Sequence, residues 1–336
     1  MKKFYILFSL LFVLFTSCVK EEQFKNSPIG VFDACWKILD EKYCFFEYKD
    51  IDWDDVYSKY HHKIYPSMGQ DSLFSVINAM MRELKDGHVN LYSSFNVGRY
   101  WEWFEEYPPN FFEHIQKRYL GTKYQIAGGM KYTILQPDSI GYIYYGSFAS
   151  STSESNLDHV LYALRNCKGI IFDVRNNGGG SLYNAEKIAS RFTKEKILSG
   201  YIQHKTGKGH NDFSEPYPLH LSPSERICFY KSVAVLSNRM TYSAANNFVS
   251  LMSNFPNVKV FGDKTGGGSG MPFSSELPNG WSIRFSASPI YDSSGNHTEF
   301  GIEPDYNVEI IDIDFIDERD TIIEVARKYI NNNSTN

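Results

Sequence analysis

The chain has no Lys/Arg run, no cysteine pair at CxxC spacing, no apolar stretch of the ~20 residues that cross a bilayer, and no G-x-S-x-G elbow. Each absence excludes something. Without a basic stripe, and with a formal net charge of -5, no nucleic-acid partner is expected, because nothing is placed to neutralise phosphates. Without CxxC spacing a metal centre or redox motif is not expected, and no cofactor is implied. Cys35, Cys44, Cys167 and Cys228 could pair in an oxidising compartment, but Cys35 and Cys44 lie on or near one helix, so buried free thiols fit equally. Without the serine elbow the α/β-hydrolases are disfavoured. What is present is globular: 336 residues, 42% hydrophobic and 22% charged, enough for one large domain with an appendage or for two domains. Aromatics at 16% leave room for a ring-lined groove as well as a core.

The N-terminus reads as an export signal: Lys2 and Lys3 precede an apolar run from Phe4 to Phe15 that is too short to span a membrane. The LFTSC that follows resembles the processing site of bacterial lipoproteins, in which the cysteine, here Cys18, becomes the lipid-bearing first residue; a signal cleaved before an unmodified residue is the plainer reading. CVKEEQ resembles the acidic tag of lipoproteins displayed by Bacteroidetes-type bacteria. These resemblances imply a signal peptide over 1–17, a tether over 18–28, and a place in the cell envelope, lipid-anchored to the outer membrane and either periplasmic or surface-exposed.

Beyond the tether, Phe32, Cys35, Trp36, Leu39 and Tyr43 recur at helical spacing, and Leu73, Phe74, Val76, Ile77, Met80, Met81 and Leu84 do so more cleanly. A helical subdomain over 29–95 is expected, its second long helix stopping at KDGH and leaving His88 at the mouth of a turn. Residues 96–138 are dense in aromatics and interrupted by Pro108-Pro109; they form a connector or lid whose rings either pack on the core or meet a substrate. From 139 to 336 short apolar runs alternate with amphipathic stretches: IGYIYYGSF, SNLDHVLYALRN, GIIFDV, SLYNAEKIASRF, SVAVLS, SAANNFVSLMSNF and VKVFG, then a closing helix in DERDTIIEVARKYI. That alternation predicts an α/β layered domain.

Two segments could carry chemistry. RNNGGG lies between a buried strand and a helix, where free N–H groups and the helix dipole converge; it has the spacing of neither a dinucleotide fingerprint nor a phosphate loop, which leaves an oxyanion-holding turn or a bland tight one. Ser243 opens the helix after SVAVLS, and is either its cap or a nucleophile that needs a base. Of nine histidines, most lie in polar stretches, while His88 follows glycine in a tight turn.

LKDGHVN, GYIYYGSF, IIFDVRNNGGG, VAVLSNRMTYSAANNF, VFGDKTGG and FGIEPDYNV, in this order from about residue 30 to 312, resemble the carboxyl-terminal processing (tail-specific) serine protease family. The resemblance implies a crotonase- or ClpP-like α/β core, Ser243 as nucleophile, and an oxyanion hole from the amides of Gly179 and Ala244. One branch of that family uses a lysine base in T-F-G-K-G, but Gly268 stands at the lysine position and Lys264 precedes the threonine. The tricorn-core-like branch uses the histidine of D-G-H, which implies His88 as base, with a rate rising through a pKa near 6 to 7. It also implies a glutamate before G-x-x-P-D that orients the apparatus: Glu299, with Glu303 as second candidate. About 50 residues separate DGHV from IGYIYYGSF, too few for the PDZ domain of many relatives beside the connector, so recognition of free carboxyl termini is not implied. The function implied is an exported, lipid-anchored serine endopeptidase with peptide or protein substrates; the alternative is an inactive surface lipoprotein that binds peptide or glycan. Nothing in the sequence speaks to oligomeric state.

Overall fold

The computed structural model describes residues 23–333. The expected signal peptide, Cys18 and the start of the tether lie outside the described residues.

Four buried runs, Ile140–Tyr145, Gly169–Asp173, Ser232–Ser237 and Val258–Gly262, lie parallel in one sheet with the short, exposed strand Tyr306–Asn307 at its edge. A hairpin of Gln125–Ala127 and Met130–Leu135 extends it antiparallel to seven strands. Strand alternation divides the side chains between two layers: Ile170, Phe172, Val233, Val235 and Val260 face one way, Ile171, Ala234, Leu236 and Phe261 the other. Helices Glu154–Leu164, Leu182–Ala189 and Ala244–Ser253 cover the first layer. The closing helix Thr321–Asn333 covers the second with Ile322, Ile323, Ala326 and Ile330. Ser153 begins the first of these helices with a reciprocal cap to Asn156, and Ser181 begins the second by accepting from the Asn184 amide.

Helices Pro28–Lys42, Trp53–His61 and Gln70–Arg82 form the N-terminal unit, but they do not enclose a core alone. Their apolar faces pack with Leu91, Leu277, Trp281, Ile283 and Phe285, so strands from the far half of the chain complete the subdomain expected over 29–95. Those strands belong to a second, antiparallel sheet of six: Val97–Gly98, Asn90–Tyr92, Ser282–Tyr291, Ile197–Ile202 and Tyr217–Leu221 in spatial order, with Gly270–Glu276 paired to Ser282–Tyr291. In the connector, Trp103 stacks on Tyr242 with ring centroids 4.1 Å apart, while Trp101 stays exposed. All four described cysteines are free thiols, three of them buried.

Candidate active site

Ser243 stands where the strand Ser232–Ser237 hands over to the helix Ala244–Ser253. The turn is pinned: Thr241 Oγ1 donates to the Val174 carbonyl at 2.9 Å, and the Tyr242 amide to the Asn177 carbonyl at 3.0 Å. These bonds hold the serine turn against the RNNGGG turn. Ser243 itself has φ 58° and ψ -121°, and its side chain makes no capping bond. A left-handed, non-glycine residue costs about 1–3 kcal/mol and persists only where its surroundings impose it. The hydroxyl therefore does not serve as the cap that the sequence alone allowed.

Its partner comes from the other body. His88 lies between the helix Gln70–Arg82 and the strand Asn90–Tyr92, and its Nε2 is 3.0 Å from Ser243 Oγ. Asp86 Oδ1 accepts the His88 amide at 2.7 Å, and Tyr242 packs edge-on against the imidazole. Burial lowers the His88 pKa to about 4; Asp86 and the Gly270 backbone oppose the shift, while Arg284 and Lys49 add to it. The ring is thus neutral at pH 7, and for Nε2 to accept the serine proton its own proton sits on Nδ1.

The RNNGGG turn closes on the other side. Gly179 has φ +97°, and a Cβ there would come within 2.8 Å of Ser243 Cβ and 2.9 Å of the Ala244 nitrogen, so only glycine permits the approach. Its N–H donates to Asn177 Oδ1 at 3.0 Å. The amides of Ala244 and Gly180 donate to no described protein group. Gly179 thus has its N–H engaged within the turn, whereas the amides of Ala244 and Gly180 are uncommitted. No spacing rule separates neighbouring glycines of one turn.

Glu299 is buried behind the serine and does not touch His88. Its Oε2 accepts the Ser269 amide at 2.9 Å and its Oε1 sits 2.8 Å from Lys49 Nζ. Burial raises its pKa to about 7, against the pull of Lys49. Asp86 Oδ2 accepts from Tyr43 at 3.0 Å and Ser286 at 2.9 Å, and lies 3.6 Å from the same ammonium. Burial pushes Asp86 up, but Lys49 and His88 together hold it below the usual range. Glu303, the other candidate, is exposed and pairs with Lys264 at 2.8 Å, which accounts for both residues away from the serine. A side chain at Gly268 is excluded, since φ is +77° and a Cβ would fall 2.3 Å from the Tyr242 ring. No lysine could act from that position without displacing the residue that packs on His88.

Beside Ser243 opens a cavity of about 310 Å³, walled by Leu182, Met271, Pro272 and Ile290, with Asn247 and Arg284 also reaching it. Lys49, Asp86 and Arg284 were not singled out from the sequence. Asp86 lies inside the DGH motif. The alternation in WSIRFSAS sets Arg284 opposite the core residues Ile283 and Phe285 once that stretch is read as a strand. Lys49 follows an aromatic cluster with no periodic signal at all. Among the described residues no group of three or more His, Cys, Asp or Glu is arranged to hold a metal ion.

Comparison with known proteins matches residues 139–308 to peptidase family S41 and residues 25–82 to the tricorn protease C1 domain. A crystal structure of a candidate peptidase from Parabacteroides merdae is 56% identical, covers 91% of this chain and 97% of that one, and superposes with a TM-score of 0.88. Mature CPAF shares the fold at 12% identity, covering 92% of this chain and 98% of its own, with a TM-score of 0.68. A CtpA-like serine protease of Staphylococcus aureus is 25% identical over 177 residues, 51% of this chain; the chain spans about a third (33%) of that relative's length. With a model of the family covering half the sequence, and a relative of 56% identity matched almost end to end, the chain belongs to peptidase family S41, a family of serine peptidases.

Proposed function

We propose that this protein is a lipid-anchored serine endopeptidase of the cell envelope. Ser243 attacks a peptide carbonyl, and His88 takes its proton and returns it to the leaving amine. The Ala244 amide, with the Gly179-Gly180 turn, binds the oxyanion. Glu299 acts as a positioning residue: through the Ser269 amide and Lys49 it fixes the segment that faces the serine. The observation that carries this reading is the 3.0 Å contact between a neutral, buried imidazole and a serine hydroxyl held at a strained turn. A fluorophosphonate probe should label the wild type at Ser243. A folded protein that does not label would instead favour a binding lipoprotein without turnover.

The pH profile follows from the two shifted groups. His88 must be unprotonated to act as base, so kcat/KM should rise with pH through about 4, well below the 6 to 7 of an unperturbed imidazole. Ionisation of Glu299 near 7 places a further negative charge in the cluster that includes Asp86, so a second inflection is expected there. Rates for the wild type and Glu299→Gln check both: the upper inflection should vanish in the variant. A single limb rising above pH 8 would point to an amine base.

Anchoring rests on Lys2, Lys3, the short apolar run and Cys18. No described helix is long and apolar enough to cross a membrane. Fractionation of cells should find the wild type with membranes, and Cys18→Ser released or unprocessed, because acyl chains on that residue would supply the attachment. A wild type found wholly in the soluble fraction would reject the anchor.

A further inference from the structure

The cavity beside Ser243 contains one charged side chain, Arg284. Every other described arginine has a carboxylate, carbonyl or ring for a partner. Arg175 is held by Asp173 and Asp320, Arg191 by Asp158, and even exposed Arg99 lies over Trp101. Arg284 has no such partner. Its backbone is clamped between two neighbouring strands, opposite Asn90 on one and Ser274 on the other. It stands on the same sheet face as Ser286, whose hydroxyl binds Asp86 two residues before the histidine. A half-buried guanidinium without a counter-charge is costly unless something else meets it. Arginine offers a planar fork that matches a carboxylate.

The remainder of the cavity suits the same guest. Leu182, Met271, Pro272 and Ile290 offer apolar walls for methylene groups. Ser269 Oγ, buried and without a hydrogen-bond partner, can donate to a carboxylate. About 310 Å³ holds one amino-acid side chain of moderate length, but not a folded domain.

We propose that Arg284 makes this cavity a specificity subsite for a substrate carboxylate next to the scissile bond, supplied either by an aspartate or glutamate side chain or by the free end of a chain. The proposal rests on the peptidase reading and adds to it the class of substrate. Binding is noncovalent: the carboxylate displaces water from the guanidinium, while the methylenes cover the apolar walls.

The test uses quenched fluorescent peptide pools in matched pairs. One arm sets Glu against Gln on either side of the cleaved bond; the other sets a C-terminal acid against its amide. Wild type should favour the carboxylate by at least ~10-fold in kcat/KM in one arm, and the arm that responds names the source. Arg284→Gln should bring that ratio to within about 2-fold of unity, and Arg284→Glu should invert it in favour of the uncharged member of the pair. Each ratio is taken on a single preparation, so it does not depend on the fraction of the variant that folds. A wild type that cleaves peptides without preference in either arm, or an Arg284→Gln enzyme that keeps the preference, overturns the proposal and leaves the peptidase reading intact. A wild type that cleaves nothing and takes no fluorophosphonate label rejects that reading, and the proposal falls with it.

Discussion

Ser243→Ala and His88→Ala are each expected to lower peptide hydrolysis by at least ~10³-fold, and the double variant should lose little more. The hydroxyl of Ser243 is a poor nucleophile unless its proton leaves as the bond forms, and the proposed acceptor, His88 Nε2, lies 3.0 Å away. Removing either ends the same step, which is why their effects do not add. What remains comes from the oxyanion donors and substrate binding, neither of which requires the pair. Lys264→Ala should retain wild-type turnover, since that side chain is engaged with Glu303. Single-turnover and steady-state rates on one peptide check all four proteins. Normal turnover in either single variant would end the assignment of Ser243 and His88, and a large loss in Lys264→Ala would revive a lysine base.

Lys49→Met is expected to destabilise the fold by about 3–5 kcal/mol, the range for removing one partner from a buried ion cluster. The Lys49 side chain is only 4% exposed and is shared by Glu299 and Asp86, themselves 3% and 0% exposed. Burial works against its charge, but the two carboxylates together keep its pKa raised. Without it two carboxylates face one another with no cation between them. Lys49 lowers the Glu299 pKa, so its loss should raise that pKa further. A raised folded pKa gives stability below the unfolded value that is lost as pH climbs through the folded one. The deficit of the variant should therefore be largest at alkaline pH and smallest near pH 5. Urea unfolding at several pH values measures it, and Lys49→Met/Glu299→Gln should recover part of the loss. A deficit below about 1 kcal/mol that is flat with pH would mean that Lys49 fills space and balances nothing.

The parallel core was legible because strands buried on both faces, such as GIIFD and SVAVLS, are unbroken apolar runs and the helices between them are amphipathic. The antiparallel sheet was not. Gly270–Glu276 is largely exposed and Tyr217–Leu221 lies in a polar stretch, so neither gives a hydrophobic alternation to read. Ser243 and His88 could be paired only through motif resemblance, since 155 residues separate them and nothing local to either names the other. Lys49 was invisible for the same reason: its position has meaning only when Asp86 and Glu299 surround it. That the Gly179 N–H is engaged by Asn177 is likewise a detail that sequence does not encode.

The core that supports His88 is completed by Trp281, Ile283 and Phe285, which come far later in the chain than the histidine itself. A growing chain leaves the ribosome with the histidine segment first, but that segment has no closed interior until those strands arrive. Glu299 follows later still. The hydroxyl and the imidazole are thus held together only after the chain well beyond Ser243 has been made. Chain order thus sets when the proposed site can first assemble.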